Sequence, residues 1–189
     1  MTSILLIAPE IEPLSLEEAK TFLRVETGDD DGLIAALIAA ARLHIESQTQ
    51  LALITQSWRL ALDCWPRHGR IAVRPGPLKA VNAARVFDLG DNARAVDTRA
   101  FVPDFGASVL AFMPWSVPRT TRFAAGIEID VTVGFGNAAT DVPEPLRHAI
   151  RQLVAHWYDN RGLIAGDAES AVMPASVAAL VAPYRMLSL

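Results

Sequence analysis

Ile127-Glu-Ile-Asp-Val-Thr-Val133 is the stretch of sequence that decides the fold. Its apolar residues alternate with Glu128, Asp130 and Thr132, which is the period-two pattern of a strand with one buried and one solvated face. The pattern stops at Gly134-Phe-Gly136, which lacks the third glycine and the immediate helix start of a dinucleotide-binding loop. We therefore expect a half-buried strand that ends in a simple turn.

A long helix is expected after this turn, over about residues 143–161. Pro143 and Pro145 suit a first helical turn, where the backbone N–H groups have no partner. Four apolar residues fall in one sector of the helical wheel: Leu146, Ile150, Leu153 and Trp157. Arg161-Gly162 is expected to end the helix, and Trp157 to anchor it against the core.

Two more helices are expected at the start of the chain. Ser15 and Glu18 fit a capping box that begins a helix over about residues 15–24. A second helix, over about residues 31–49, follows the acidic turn Asp29-Asp-Asp31, which is expected to cap it. Its apolar face comprises Leu33, Ile34, Leu37, Ile38, Ala41 and Ile45.

The reverse face of the second helix is unusually small and smooth. It comprises Ala35, Ala36, Ala39 and Arg42. Helix propensity alone explains the alanines. Contact with the helix of a neighbouring subunit, which small side chains permit, explains them equally well. We keep these four residues as a candidate subunit interface.

Short strands are expected between about residues 54 and 133. Trp58, Leu60 and Leu62 alternate with polar residues, and further strands are expected over residues 71–73, 81–87 and 109–112. Trp58 and Trp65 are expected to be structural anchors. Apart from the strand expected over residues 109–112, the pattern predicts no definite fold for residues 94–122. The whole pattern predicts an α+β fold, in which two N-terminal helices and a third long helix surround a mainly antiparallel β meander.

The sequence predicts one domain over residues 1–162 and a C-terminal tail over residues 163–189 with a short helix. That helix, near residues 174–182, is marginal by itself. The tail nevertheless holds too much apolar area to leave in water. Either it folds back onto the domain or it docks on another protein.

Composition limits the classes of function. Hydrophobic residues make up 51% of the chain and charged residues 20%, with a mean hydropathy of +0.26, so some of the surface is expected to meet other chains. No apolar run approaches the roughly 18 to 20 residues that cross a bilayer, and we expect no membrane contact and an intracellular origin. The net charge of −4 argues against a general nucleic-acid binder.

The sequence contains no motif that is typical of catalysis or metal binding. The single cysteine excludes an internal disulfide, and Cys64 is expected to be a buried structural thiol beside Trp65. His148 and His156 share a helix but lie about 12 Å apart along its axis, which is too far to share a metal. No zinc, nucleophile-elbow or phosphate-loop motif occurs. We therefore expect no enzyme activity, no metal and no cofactor.

The order of these elements resembles that of the head-tail connector, or adaptor, proteins of long-tailed double-stranded DNA phages and gene transfer agents. The resemblance spans roughly residues 14–185. It is carried by the segments Ser15-Leu-Glu-Glu-Ala-Lys-Thr-Phe-Leu-Arg-Val25, Asp29-Asp-Asp31, residues 33–41, Ile45-Glu-Ser-Gln-Thr49, Gln56-Ser-Trp58, Cys64-Trp-Pro66 and residues 75–81, with the strand and helix described first.

The resemblance implies a structural subunit of a virion or phage-like particle, assembled in the bacterial cytoplasm. Its implied partners are the portal protein, the next tail-side component (a stopper or tail terminator) and other copies of itself in a dodecameric ring. Double-stranded DNA would pass through an axial channel without sequence-specific binding. Whether the particle is a phage, a prophage or a gene transfer agent stays open.

The resemblance also implies that the tail binds the portal. The tail residues expected there are Pro174, Val177, Leu180, Val181, Pro183, Tyr184, Arg185, Met186 and Leu187. Two alternatives stay open: a small regulatory or peptide-binding module that dimerises, and an enzyme with a loop-built site. A solution mass separates the first from a ring-former, and converging titratable groups in a pocket would favour the second.

Overall fold

The computed structural model describes residues 1–160 and 173–185. The chain forms two compact units. The strand unit comprises Met1–Pro9 and Thr55–Phe135, and the helical unit comprises Glu10–Ile54 and Gly136–Leu189. Strands and helices are thus segregated, and the predicted α+β class is confirmed.

The strand unit holds two antiparallel sheets. Their strands are β1 Thr2–Ile7, β2 Gln56–Leu62, β3 Arg70–Ala72, β4 Leu78–Phe87, β5 Ala93–Val96, β6 Phe101–Asp104, β7 Val109–Phe112 and β8 Ile127–Val133. The five-stranded sheet has the order β1-β2-β8-β4-β5, and the three-stranded sheet has the order β3-β7-β6. The pairing is antiparallel as predicted, but β8 lies between β2 and β4 and β3 pairs with β7, so the sheets are not a simple meander. β1, β5 and β6 were not predicted.

β8 is the central strand of the five-stranded sheet, and its inner face is entirely apolar. Its four apolar residues, Ile127, Ile129, Val131 and Val133, are fully buried. Trp58 and Leu60 of β2 lie opposite Val131 and Ile129 in register, so the predicted alternations of the two strands match. The indole Nε1 of Trp58 donates to Oε1 of Gln56 at 2.9 Å, which satisfies its polar atom.

The three-stranded sheet accounts for much of the region without a predicted fold. Trp65 packs against Phe112 and Phe101, with ring centroids 5.0 and 5.9 Å away, and its Nε1 donates to the Pro118 carbonyl at 2.8 Å. The prediction for Cys64 is wrong, since its side chain is exposed. β2 ends at Leu62, so its alternation does not extend to Cys64.

The described residues of the helical unit form four α-helices. They are α1 Leu16–Leu23, α2 Asp31–Thr49, α3 Glu144–Asp159 and α4 Ala175–Val181. α2 and α3 pack together, α1 contacts both, and α4 packs on α3. The predicted capping box is present: Ser15 Oγ accepts from the Glu18 amide, and Glu18 accepts from the Ser15 amide, both at 3.1 Å.

Two details of α2 differ from the prediction. Leu33 is exposed, because the buried face runs through Ile34, Ile38, Ala41 and Ile45 and leaves Leu33 on its outer edge. Asp30 occupies the N-cap position but makes no side-chain capping hydrogen bond, and its carboxylate instead accepts from the Tyr158 hydroxyl of α3. The acidic turn therefore joins helices rather than capping one.

α3 has the predicted buried face, with Leu146, Ile150 and Leu153 fully buried. It ends at Asp159, two residues before the predicted stop at Arg161-Gly162, which lies outside the described residues. Gly136, in the segment before α3, has a packing role: a Cβ there would lie 1.9 Å from Oδ2 of Asp141. In the part of the chain that the structure describes, no helix is long and apolar enough to cross a membrane.

Candidate assembly surfaces

An apolar stripe runs along the solvent-facing side of α2. Leu33, Ala36, Ala40 and Leu43 are all exposed, and their spacing places them on one helix face. Ala35, also exposed, borders this α2 stripe, and Ala39 is half-buried beside it. A helix face that meets only water is normally polar. The stripe therefore has the character of a contact surface.

Arg42 lies inside the helical unit and not on the α2 stripe. Its Nε and Nη2 atoms donate to the two Glu12 carboxylate oxygens at 2.7 and 3.2 Å, and Nη1 donates to Glu46 at 2.8 Å. Glu46 also accepts from the Leu53 amide at 2.8 Å. Burial is the largest influence on the Arg42 pKa and lowers it, but the two carboxylates outweigh it, and the pKa is raised. Arg42 thus ties three segments of the unit together.

The described part of the tail folds back on its own chain. Val177 and Val181 of α4 are 0% exposed, and the helix packs on α3. These two predicted portal-binding residues therefore belong to the core of the helical unit. Pro174 and Leu180 are half-buried.

The end of the described tail remains accessible. Pro183 and Arg185 are exposed, and Tyr184 is half-buried. The guanidinium of Arg185 donates to Oε1 of Gln48 at 3.2 Å. Met186 and Leu187 lie outside the described residues. Among the predicted portal-binding residues, the exposed ones thus lie after the end of α4.

A second exposed apolar set lies on loops of the strand unit. Leu89, Met113, Trp115 and Phe123 are exposed, and Phe123 reaches 96%. Sequence periodicity gave no signal for them, because loop residues follow no period. We call these four residues the loop patch.

Hydrogen bonds tie the loop that carries Phe123 to the strand ends. Thr120 Oγ1 donates to the Phe87 carbonyl at 2.7 Å, and the Ala125 amide donates to Asp63 at 2.8 Å. The Arg122 guanidinium lies 5.3 Å from the Phe87 ring centroid, close enough for a cation–π contact. The exposed ring is therefore displayed by an anchored loop.

Ion pairs cover the outer face of the five-stranded sheet. Arg59 donates to both carboxylate oxygens of Asp130 at 2.7 and 3.0 Å and lies 3.2 Å from Glu128. Arg85 pairs with the same two carboxylates. The hydrogen bond from Arg59 holds the pKa of Asp130 below its ordinary value, although partial burial opposes the shift. This balanced face offers no excess charge to a nucleic acid.

The histidines of α3 contact residues one turn further along the same helix. The His148 Nε2 lies 2.9 Å from Gln152 Nε2, and the His156 Nδ1 lies 3.3 Å from Asn160 Nδ2. Trp157, an expected anchor, is half-buried and meets the His44 ring edge-on at 5.9 Å. Within residues 1–160 and 173–185, no three histidine, cysteine or carboxylate side chains are grouped as metal ligands would be.

Comparison with known proteins finds a similarity to virion components. The family model of phage gp6-like head-tail connector proteins matches residues 13–84, which include α1, α2, β2 and β3. No curated protein matches the chain.

Solved structures match over the whole chain. A chain in the neck of an empty gene transfer agent particle, computed with C6 symmetry, is 28% identical with a TM-score of 0.83. A chain in the neck of the native particle, computed with C12 symmetry, is 27% identical with a TM-score of 0.79. A chain in the virion of a native gene transfer agent is 28% identical with a TM-score of 0.73. Each alignment covers 100% of this chain and 97% of the other. The N-terminal part of the chain therefore matches the head-tail connector family, and the whole chain is similar to chains in the necks and virions of gene transfer agent particles.

Proposed function

We propose that this chain is a non-enzymatic adaptor subunit that forms a ring between the portal of a DNA-filled capsid and the tail. The observation that carries this proposal is the full-length likeness to chains in the necks of gene transfer agent particles. The subunit would assemble in the bacterial cytoplasm and remain in the finished particle.

The α2 stripe is the proposed contact between neighbouring subunits. The C6 and C12 symmetries of the matched necks support a ring, and we propose twelve copies. A ring needs a head-to-tail contact in which two different patches meet. Small and apolar side chains such as Ala36 and Leu43 let a neighbour approach closely without leaving a charge unpaired.

The end of the tail is the proposed portal contact, and the loop patch is the proposed contact with the tail-side component. Pro183, Tyr184 and Arg185 follow directly after the packed helix α4, so they are held at a fixed place on the helical unit. The loop patch supplies exposed aromatic area, which is enriched at the centres of protein interfaces. The two contacts therefore use different segments of the chain.

The proposed ring encloses a channel through which double-stranded DNA passes. The net charge of −4 and the neutralised outer face of the five-stranded sheet suit such a wall. A basic wall would hold the phosphates by releasing their counterions and would slow the passage of DNA.

Reconstitution on the portal tests this function. The purified chain is mixed with purified portal rings from the same genome and imaged by electron microscopy. We expect an additional ring of twelve subunits on one end of the portal. A chain that stays unbound at micromolar concentration, or that binds singly without forming a ring, contradicts the proposal.

A further inference from the structure

β1 is a bare edge of the five-stranded sheet. It pairs with β2 on one side, and no strand among residues 1–160 and 173–185 pairs with its other side. Over Thr2 to Leu5 the register with β2 is uninterrupted, and a bulge follows between Leu5 and Ile7. Four residues of regularly paired backbone therefore have an open side for further pairing.

The side chains of β1 are apolar on both faces of the sheet. Ile4 and Leu5 point to opposite faces, since Ile4 lies opposite Arg59 and Leu5 opposite Trp58. Both are exposed, as are Leu6 and Ile7. Residues 1–9 contain no charged side chain, although charges are the usual protection of an open edge. An unprotected edge with this composition is typical of a strand that is covered after assembly.

The opposite edge of the same sheet is β5. It pairs with β4 on one side, and within the described ranges no strand covers the other side. Every neighbouring pair in this sheet is antiparallel, so the first and fifth strands, β1 and β5, run in the same direction. Both have four residues in regular register with their inner neighbours.

We propose that β1 of one subunit pairs in parallel with β5 of the next subunit, so that the sheets join into one continuous ring. This inference rests on the proposed ring and deepens it. A twelvefold axis turns successive copies by only about 30°, so the rotation does not reverse the strand sense that β1 and β5 share within one subunit. The pair is therefore parallel, and it joins two different edges, as a closed ring requires.

The dimensions permit closure. Five strands at a spacing of about 4.8 Å give a sheet roughly 24 Å wide. Twelve such sheets joined edge to edge would close at a diameter of about 90 Å, if the strands run near the ring axis. That diameter leaves room for a central channel.

The pairing is too small to hold two free subunits together. A strand pair limited by the four residues of β5 covers far less than the roughly 800 Å² per partner of a stable interface. We therefore expect free subunits to stay separate and to pair only where the portal holds them side by side. The β1 edge is therefore covered by a neighbouring subunit only after the ring has formed.

Disulfide trapping tests the pairing. Ile4 and Ala95 share the outer face, because Ile4 lies opposite Arg59, Ala95 lies opposite Arg85, and both arginines pair with Asp130. Two variants are made, both with Cys64→Ser to remove the native thiol. One carries Ile4→Cys with Ala95→Cys, and the other carries Ile4→Cys with Ala93→Cys to test the alternative register. Portal-bound rings are oxidised and run on denaturing gels. We expect a ladder of covalent oligomers from one register.

The matched control is Leu5→Cys with Ala95→Cys, which places the thiols on opposite faces and should give no ladder. Rings that give no ladder with either register, or an equal ladder from the control, overturn the β1–β5 pairing and leave the adaptor function intact. If the wild-type chain forms no ring on the portal, the function and the pairing fall together.

A charge on the edge gives an independent test. Ile4→Lys should reduce ring formation on the portal at least tenfold and leave the melting temperature of the free subunit nearly unchanged. Val102→Lys is the control, because Val102 is an exposed apolar residue on β6, an edge strand of the other sheet. Normal ring formation by Ile4→Lys, or equal loss with Val102→Lys, contradicts the proposal.

Discussion

The packing of α4 predicts that the start of the tail stabilises the helical unit. Val177 and Val181 are 0% exposed, so replacing a valine by alanine removes two fully buried methyl groups. At about 0.8 kcal/mol per buried methylene, each replacement loses about 1.6 kcal/mol of transfer free energy. The cavity left behind adds to this loss. We expect about 2 kcal/mol for each variant and about 3 to 4 kcal/mol for the double variant.

Urea unfolding followed by circular dichroism measures this loss. Since domains are commonly stable by about 5–15 kcal/mol, the double variant should unfold at a clearly lower urea concentration. Ser176→Ala is the control, because Ser176 is exposed on the same helix and should shift the midpoint little. An unchanged midpoint for the Val177→Ala, Val181→Ala variant would refute the packing of α4 and return both residues to the set available for the portal.

Three further predictions concern other sites. Ala36→Glu should prevent ring formation. It should leave the melting temperature of the free subunit almost unchanged, since Ala36 is exposed and glutamate is a good helix former. Normal rings on portals would exclude the α2 stripe as an interface. Asp130→Asn should lower the stability of the subunit at pH values above 3.8, the ordinary carboxyl pKa, because the lowered pKa of Asp130 in the folded state stabilises the fold in that range. The difference in stability from the wild type should disappear as the pH falls through the lowered pKa. An acid unfolding series in which the difference persists would contradict the ion-pair account. Cys64 should react fully with a thiol reagent in the native protein, and protection until denaturant is added would show that it is covered.

Long elements with a strong period could be predicted from the sequence. β8 alternates over seven residues, and α3 presents one narrow apolar face, so both were placed within one or two residues. α1 was located by its capping box, which is a local signal between Ser15 and Glu18. In each case the information lies within a few neighbouring residues.

Features that depend on distant contacts could not be predicted. β1 carries a continuous apolar run instead of an alternation, because it is an open edge with apolar residues on both faces. β5 and β6 have only four residues each, which is too short for a period to show. The position of β8 between β2 and β4 follows from long-range pairing.

The candidate sites show the same limit. Arg42 was assigned to the smooth face of α2 by its angle alone, but its long side chain reaches Glu12, thirty residues earlier in the chain. Val177 and Val181 were assigned to a docking tail because the sequence could not show that α3 covers them. The exposure of the α2 stripe and of the loop patch depends on the packing of the folded chain, so the sequence alone could not predict it.

A reconstruction of the particle neck tests the central claim most directly. Particles made by cells that encode this chain are imaged by cryo-electron microscopy, and the neck is averaged without imposing a symmetry on it. The account predicts a ring of twelve copies of this fold, directly below the portal and surrounding the DNA path. A neck in which the fold is absent from the portal-proximal ring, in particles that nevertheless carry tails, would contradict it.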